Sequence, residues 1–498
     1  MRVLLFILIL TLHWTNSTAQ QGKQWITGFG NIIDFRVTPT ISFMQCDTFN
    51  NALYMHGHSS ICDSNGKLLF AHSGILPIKK CENIIENGNV DVGNHFEFDA
   101  GGNGQFIQES IIIPKKNNQY YVFRVGVSND VYDAANNGTG DVYFDKFFYD
   151  IIDMKENNGD GRVVERKHIL IENERLSINM LNAVKHANGR DWWVVKPGYL
   201  KNTFYTFLVT PDTVLGPYFQ DLQGPEFHWD YWGQCNFSLD GQFFVMGTYL
   251  SDYVQINKFD RCSGQMTKYR SLVPPEDTNW YYDPFLKIDT FEMNPAETGF
   301  AFSSDNHFLY LVSPVSVWQY DMETEEMINI KNDSLINYAW NITAYNAPDG
   351  RIYTGNWNGA NYGLSYIEFP NKKGIDAHFC QICLSTAFTT SVPPNMPNYE
   401  LGALKGSPCD TIRPKHVYDV IKIYPNPVSD YLTIELPTGS KKVQVNIYNM
   451  LGEVVLSKTI EEIQNHKVEL SVKHFARALY NVRINANGAS FVGNFLKE

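Results

Sequence analysis

A tight polar turn followed by an aromatic-rich strand recurs six times along this chain, and that rhythm limits the fold more than any other feature of the sequence. The copies are Asp63-Ser-Asn-Gly-Lys-Leu-Leu-Phe70, Lys116-Asn-Asn-Gln-Tyr-Tyr-Val-Phe123, Ala187-Asn-Gly-Arg-Asp-Trp-Trp-Val194, Leu239-Asp-Gly-Gln-Phe-Phe-Val245, Ser304-Asp-Asn-His-Phe-Leu-Tyr-Leu311 and Pro348-Asp-Gly-Arg-Ile-Tyr353. Asn, Asp and Gly tolerate the positive φ that a two-residue hairpin turn demands, so each copy reads as a β-hairpin. From Gly66 to Gly350 the copies cover 284 residues in five intervals, about 57 each. Downstream of most copies a second strand ends in Asp before another turn, as in Phe147 to Asp153, Val254 to Asp260 and Val317 to Asp321.

Strand, hairpin, strand, turn, strand is the internal order of a propeller blade with an extended loop. The expected fold is therefore all-β: a β-propeller with room for seven blades between Gln20 and Pro414, six being the alternative. Two stacked β-sandwiches are the competing architecture. Composition agrees with strands, because the chain carries 28 Tyr, 32 Phe, 10 Trp and 36 Gly. No stretch shows the long 3.6-residue period of a helical domain.

The formal charge of −13 removes whole classes of partner. Nucleic-acid binding needs Lys and Arg to neutralise phosphates, and adhesion to anionic lipid needs the same excess of cations. At the start of the chain, Met1-Arg2 is basic, Val3 to Leu12 is apolar, and Ser17-Thr18-Ala19 offers small residues for cleavage after Ala19. Residues 1–19 thus read as a secretory signal. Their apolar run is too short to cross a hydrocarbon core of about 30 Å, and no later run approaches the length of a membrane span. All eight cysteines (Cys46, Cys62, Cys81, Cys235, Cys262, Cys380, Cys383 and Cys409) lie in the exported part. An even count in an oxidising compartment reads as up to four disulfides. Cys235 with Cys262 is the expected pair, since both flank one strand-rich unit, and Cys409 is expected to reach back to Cys380 or Cys383. The Cys380-x-x-Cys383 spacing has no second CxxC or His pair to complete a zinc site.

After Cys409 the texture changes to short, evenly alternating strands, nearly neutral in charge. Tyr418 to Leu436 reads as two strands around Pro425-Asn-Pro427, and Val443 to Val455 as a hairpin turning at Leu451-Gly452. Val468 to Val472, Leu479 to Ile484 and Ser490 to Leu496 follow. Alternation of apolar and polar residues describes a small antiparallel, Ig-like sandwich with solvated outer faces. The domain plan is then 1–19 signal, 20–414 propeller and 415–498 C-terminal domain, with Asp410 to Lys415 as the exposed linker.

These last 80 or so residues resemble the type A C-terminal sorting domain of the type IX (Por) secretion system of Gram-negative bacteria. Ile423-Tyr-Pro-Asn-Pro-Val428 resembles the opening signature, Ile447-Tyr-Asn-Met-Leu-Gly-Glu-Val454 the central hairpin, and Phe475 to Ile484 the late Leu-Tyr strand. Arg477-Ala478 departs from the family's usual Gly. The resemblance implies passage to the periplasm, then across the outer membrane through the type IX machinery, with the domain commonly removed and the cargo released or attached to surface lipopolysaccharide. Upstream, Trp25 to Phe35, Ser60 to Phe70, Pro394 to Gly402 and Gly406 to Asp410 resemble the opening and closing segments of secreted propellers that carry this domain. That likeness implies a fold and leaves the activity open.

Residues that carry chemistry are sparse. Glu226, His228 and Asp230 would share one face of an extended segment, with aromatics on the other; a polar loop at a blade junction is the alternative. His56, His58 and His72 could offer imidazole ligands, against a plain strand-edge role. Asp99 to Gly104 lacks the Lys-Ser/Thr of a phosphate loop and reads as a flexible turn. Glu156 to Gly161 has calcium-friendly oxygens but no Glu at the twelfth position, and reads as a hairpin turn. Trp192-Trp193, Trp229 to Trp232, Trp280 to Tyr282 and Trp357 could rim one face and stack on sugar or peptide, or could pack between blades. No residue is assigned a catalytic, cofactor-binding or metal-binding role. The expected function is an exported, non-enzymatic recognition or adhesion module for an extracellular glycan or protein. The alternative is a propeller hydrolase or lyase acting on extracellular polysaccharide.

Overall fold

A computed structural model describes residues 20–410 and 422–498, apart from segments 38–40, 46–53, 80–82, 225–232, 249–252, 276–280, 284–287, 292–297, 315, 332–340, 357–360, 437–441, 450–453, 462, 464–465 and 487–488. The chain divides into two compact units, Met1–Asp410 and Thr411–Glu498. In the first unit, six four-stranded meanders follow one another: blade 2 (Ser59–Ile84), blade 3 (Ser110–Leu176), blade 4 (Asn182–Asp221), blade 5 (Gly233–Leu272), blade 6 (Gly299–Asn329) and blade 7 (Asn341–Thr390). Blade 1 is a three-stranded sheet over Gln24–Gln45. It closes the ring on both sides. Trp25 and Phe35 pack edge-on against Tyr353 of blade 7 at 5.8 and 5.9 Å, while the Cys62 N–H of blade 2 donates to the Gln21 carbonyl at 2.8 Å.

The first strand of each four-stranded sheet is almost wholly buried, as in Ser59–Cys62 and Gly299–Phe302. Burial on both faces explains why these strands read as short apolar or small-residue runs without alternation. All six sequence-predicted turns have a residue at positive φ where expected: Gly66, Asn117 and Asn118, Gly189, Gly241, Asn306 and Gly350. The loops are longer than the two residues expected. In blade 5 the Ser238 N–H donates to Phe243 O and the Gly241 N–H to Ser238 O, which encloses four residues. A tight turn ending in one left-handed residue also keeps the strands twisted correctly, so only one position needs Gly or Asn. Blades 5 and 6 repeat one device there: Ser238 and Ser303 donate to Asp240 and Asp305, each at 2.6 Å.

The axis is closed by side-chain amides. Gln108, just before blade 3, donates to Cys235 O of blade 5 at 2.9 Å and accepts from Cys235 N at 3.0 Å. Gln234 of blade 5 donates to Ala344 O of blade 7 at 2.9 Å and accepts from Phe300 N of blade 6. Single side chains thus reach between blades that are not neighbours in the ring.

After blade 7, residues 391–402 run inward past Thr27 of blade 1 to blades 2, 3 and 4. Thr27 donates to Val392 O at 2.8 Å, Asn395 N–H donates to His58 O at 2.9 Å, and the Asn395 amide donates to Ser110 O and Leu181 O. Tyr399 follows, donating to Ile112 O at 2.8 Å. The end of the propeller sequence is therefore tied to Thr27 near its start and to the first strands of several blades.

Two disulfides lie among the described residues, and they correct the expected pairings. Cys409 joins Cys262, with Cα atoms 5.5 Å apart, and Cys380 joins Cys383. Cys235 instead stays a thiol, as does Cys62, both buried. The reason is radial: Cys235 is on the innermost strand of blade 5, while Cys262 is in the turn before its outermost strand. Cys46 and Cys81 fall outside the described residues. Burial pushes the Cys62 thiol up to about 12 and Cys235 higher still, so neither is a nucleophile. Thiol reagent added to native protein should leave both untouched, whereas denatured, unreduced protein should label at both. Labelling of either in the native state would contradict this packing.

The second unit pairs a three-stranded sheet (Lys422–Tyr424, Tyr431–Glu435, Lys467–Ser471) with a four-stranded one (Val443–Tyr448, Val454–Ile460, Leu479–Ala486, Ala489–Leu496). Val445, Ile447, Leu432, Ile434 and Val482 are among its buried core. This is the antiparallel sandwich expected from the alternating pattern, although the Leu451-Gly452 turn itself lies outside the described residues.

Candidate functional site

Among the described residues two short α-helices interrupt the β pattern, and both belong to blade 3 or the connection into it. Helix α1, His95–Asp99, lies in the connection that leads into the first strand of the blade, and α2, Asn129–Asn136, lies between its second and third strands. Asn94 caps α1 by accepting from Glu97 N–H at 2.9 Å. The helices are tied to each other. Asn94 donates to Val127 O at 2.8 Å, His95 Nδ1 meets Asp133 at 2.8 Å, and Tyr132 donates to Asp99 at 3.2 Å.

Beneath them is a cavity of about 530 Å³, lined by Phe96, Phe106, Tyr132, Tyr143, Phe144 and Ile178 among others. The rings form an edge-to-face series: Tyr132 to Phe96 at 5.7 Å, Phe96 to Phe144 at 5.6 Å, Phe106 to Phe144 at 5.7 Å. Such contacts hold each ring at a fixed angle before any ligand arrives. Asp99, Gln105 and Asn136 bring polar groups to the same cavity.

One buried carboxyl holds the wall. Glu109 Oε1 accepts from the Gln105 N–H at 2.8 Å and the Phe106 N–H at 2.5 Å. Its other oxygen is walled in by three glycines, for a Cβ on Gly57, Gly74 or Gly104 would come within 2.8, 2.7 or 2.8 Å of it. Burial pushes this carboxyl up to about 8, against the pull of the two N–H groups and of Lys196 and Arg124. The folded chain therefore keeps a proton that the unfolded chain gives up near pH 4.5, so this group costs stability as pH rises from there to about 8. The slope is on the order of 1.4 kcal/mol per pH unit. Glu109→Gln should remove that slope, so the difference in melting temperature between variant and parent should shift in the variant's favour from pH 5 to pH 8. A difference that stays flat with pH would show the carboxyl to be ionised in the fold.

On the other side of α1 is a charge cluster. Arg124, almost wholly buried, donates to Asp150 at 2.9 Å and to Glu97 at 3.0 Å, and its guanidinium lies 4.4 Å from the Phe148 ring centre. Lys167 adds contacts to Asp91 at 2.6 Å and Glu97 at 3.1 Å. Burial raises Glu97, but Arg124 and Lys167 outweigh it and hold the carboxyl below its ordinary value.

The sequence-predicted candidates fall elsewhere. Glu226, His228 and Asp230 lie outside the described residues, as do Trp229, Trp232, Trp280 and Trp357. His58, just before the first strand of blade 2, and His72, at the end of its second, are fully buried. His58 Nε2 donates to Ile26 O at 2.9 Å, and burial takes its pKa down to about 3, with His72 well below its ordinary value too. Both are neutral core imidazoles. No group of three or more His, Cys, Asp or Glu among the described residues is placed to hold a metal. Asp99 to Gly104 is the end of α1 and its turn, part of the cavity lining. Glu156 to Gly161 is a rim turn whose Asp160 pairs with Lys79. Trp192 and Trp193 are buried; Trp192 packs on Tyr399, and Trp193 donates to Arg261 O. Sequence reasoning missed the cavity, though six of its aromatic and branched residues fall between Phe96 and Phe144.

A second cavity, of about 450 Å³, opens where the inner strands end, between Asn182, Asn236, Tyr345, Asn346 and the Met396–Gly402 segment. Its amides are engaged: Asn182, Asn236 and Asn398 donate to Cys235 O, Phe300 O and Leu239 O.

No curated protein matches the chain. Among solved structures, a periplasmic gluconolactonase of Pseudomonas aeruginosa is 10% identical over 72% of this chain and 86% of its own, with a TM-score of 0.33. A protein from Lactobacillus plantarum is 10% identical over 80% and 94%, with a TM-score of 0.36. An immunoglobulin-like β-sandwich protein from Bacteroides vulgatus is 24% identical over 16% of this chain and 83% of its own, with a TM-score of 0.14. None of these likenesses bears on what this chain binds or does. Residues 422–498 match the family described as the secretion system C-terminal sorting domain, and they form the sandwich unit. The chain is therefore a β-propeller protein with a type IX C-terminal sorting domain, exported to the outer surface or the surroundings of a Gram-negative bacterium.

Proposed function

We propose that the propeller is an exported, non-enzymatic binding module, displayed or released for recognition of an extracellular glycan or protein. The observation that carries this reading is the aromatic cavity under α1 and α2, pre-formed by ring–ring contacts and by the buried Glu109. Small-molecule sites have this combination of apolar walls and a few convergent polar groups, within the usual range of about 300–1,000 Å³. The state of the axis supports binding over bond cleavage, because Gln108, Gln234 and Asn395 fill it with amides already engaged to backbone.

The reading includes the domain plan: signal 1–19, propeller 20–414 and sorting domain 415–498, with the type IX machinery as the partner of the last. Mature protein mixed with surface polysaccharide or surface protein extract should be retained and should melt higher, with no new reducing ends or peptide termini. Appearance of such ends, absent with boiled protein, would make it an enzyme. Deleting residues 422–498 should leave the propeller in the periplasm; normal surface display of that deletion would remove the sorting role.

A further inference from the structure

We infer that the cavity under α1 and α2 takes an uncharged saccharide, of one or two rings, stacked on its aromatic wall. This rests on the binding-module reading above and deepens it. Three features of the cavity select the class. The first is charge. Asp99 is the only ionisable acid among its lining residues, and no Lys, Arg or His is among them. Arg175, stacked on Tyr143 of the wall at 4.5 Å, is paired with Asp141. An anionic ligand would meet a carboxylate with no cation to answer it, in a chain that already carries −13. Phosphates, sulfated sugars and uronic acids are thereby disfavoured.

The second feature is the mixed character of the walls. Phe106, Tyr132 and Tyr143, each partly exposed, present ring surface over the buried Phe96 and Phe144, while Asp99, Gln105, Asn136 and the Tyr132 hydroxyl supply acceptors and donors. A pyranose has this division in itself: C–H groups on one face and hydroxyls around the edge. A purely apolar ligand would make no use of the carboxylate and amides, which ligand hydroxyls can engage. Asp99 is suited to the edge. It accepts from Tyr132 at 3.2 Å through one oxygen, and as an exposed carboxylate it can accept from ligand hydroxyls as well.

The third feature is rigidity. The cavity is flanked by two helices that are tied to each other at Asn94–Val127 and His95–Asp133. A fixed aromatic wall spares the ligand the cost of ordering it.

The test uses the mature chain, residues 20–498, on an array of neutral, uronic-acid and sulfated oligosaccharides, followed by calorimetric titration with the best binder. At least one neutral saccharide should bind, with charged ones at least tenfold weaker. Asp99→Asn, an exposed change that leaves the fold intact, should weaken binding about tenfold, and Tyr132→Ala should weaken it further. Phe369→Ala, an exposed aromatic elsewhere on the propeller, should leave it unchanged. Preference for charged saccharides, retention of no neutral one, or neutral binding indifferent to both cavity variants would overturn the inference. A peptide that binds and is released by Tyr132→Ala would overturn the saccharide while leaving the binding module standing. Cleavage of a bound neutral saccharide would do the reverse.

Discussion

A chain ending at Thr390 should fail to form a folded propeller, whereas a chain ending at Asp410 should melt close to the intact mature protein. The twenty residues between those two ends supply the segment that bonds to Thr27, His58, Ser110 and Leu181, and the Cys262–Cys409 link. Val392 and Tyr399 are buried there, and Met396 packs against the core beside them. Burying such side chains contributes about 2 kcal/mol each. Without Asn395, the carbonyls of His58, Ser110 and Leu181 lose their donors at the axis, at about 1–3 kcal/mol for each buried group left unpaired. These losses together reach roughly 10 kcal/mol, the size of the whole stability of an ordinary domain. The disulfide adds to the difference, since it closes a loop of 147 residues, a class of cross-link that contributes about 4–5 kcal/mol on the chain-entropy account.

Circular dichroism and melting of the two truncations decide the matter. A cooperative melt for the chain ending at Thr390, near that of the longer one, would mean the ring closes without its last segment. Limited proteolysis offers the complementary check, with a stable fragment ending near residues 410–420. A first stable fragment ending inside a blade, for example within 238–264, would break the two-unit reading.

The same segment marks the limit of what the sequence discloses. Hairpin turns are local, so Gly66, Gly189, Gly241, Asn306 and Gly350 could be placed from their neighbours alone, and the blade count followed from their spacing. The C-terminal strands were legible for the same reason, since one face is buried and the other wet. Ring closure is not local. Nothing in Ser391 to Gly402 shows that it pairs with residues more than 360 positions earlier, as Val392 does with Thr27. Disulfide partners share that difficulty: Cys235 and Cys262 are close in sequence and lie at opposite ends of one blade. The aromatic cavity escaped notice because α1 has five residues and α2 eight, too short for a helical period to stand out among strands. Its signal was present as density, but divided: Phe96 and Phe106 precede the turn at Asn117-Asn118, while Tyr132, Tyr143 and Phe144 follow it.

Replacing Arg124 by Met should be the most damaging single change to that cavity, although the side chain does not line it. Arg124 joins three elements: its own strand in blade 3, Asp150 on the next strand, and Glu97 on α1. Met keeps much of the volume and the packing on Phe148 but removes the charge. Glu97 retains Lys167, while Asp150 loses its paired cation and accepts only the Lys167 N–H at 2.6 Å. Breaking one member of a buried ion cluster costs about 3–5 kcal/mol, because the stranded charge is worse than no charge. The variant should carry a pH signature that a mere packing defect would lack. In the parent, Glu97 sits below its ordinary value, so its contribution is present above pH 4.5 and is lost as pH falls. Without Arg124, Glu97 keeps its burial but loses the larger of the two cations that hold it down, so the variant gains less stability than the parent as pH rises. Its deficit relative to the parent should thus be larger at pH 8 than at pH 5. The triple change Arg124→Met, Glu97→Gln, Asp150→Asn should recover part of the loss and flatten the dependence. Saccharide affinity should fall with α1 unpinned and return in step with the melting temperature of the triple variant. A deficit independent of pH would mean that Arg124 serves by volume alone and that α1 is held by Asn94 and His95.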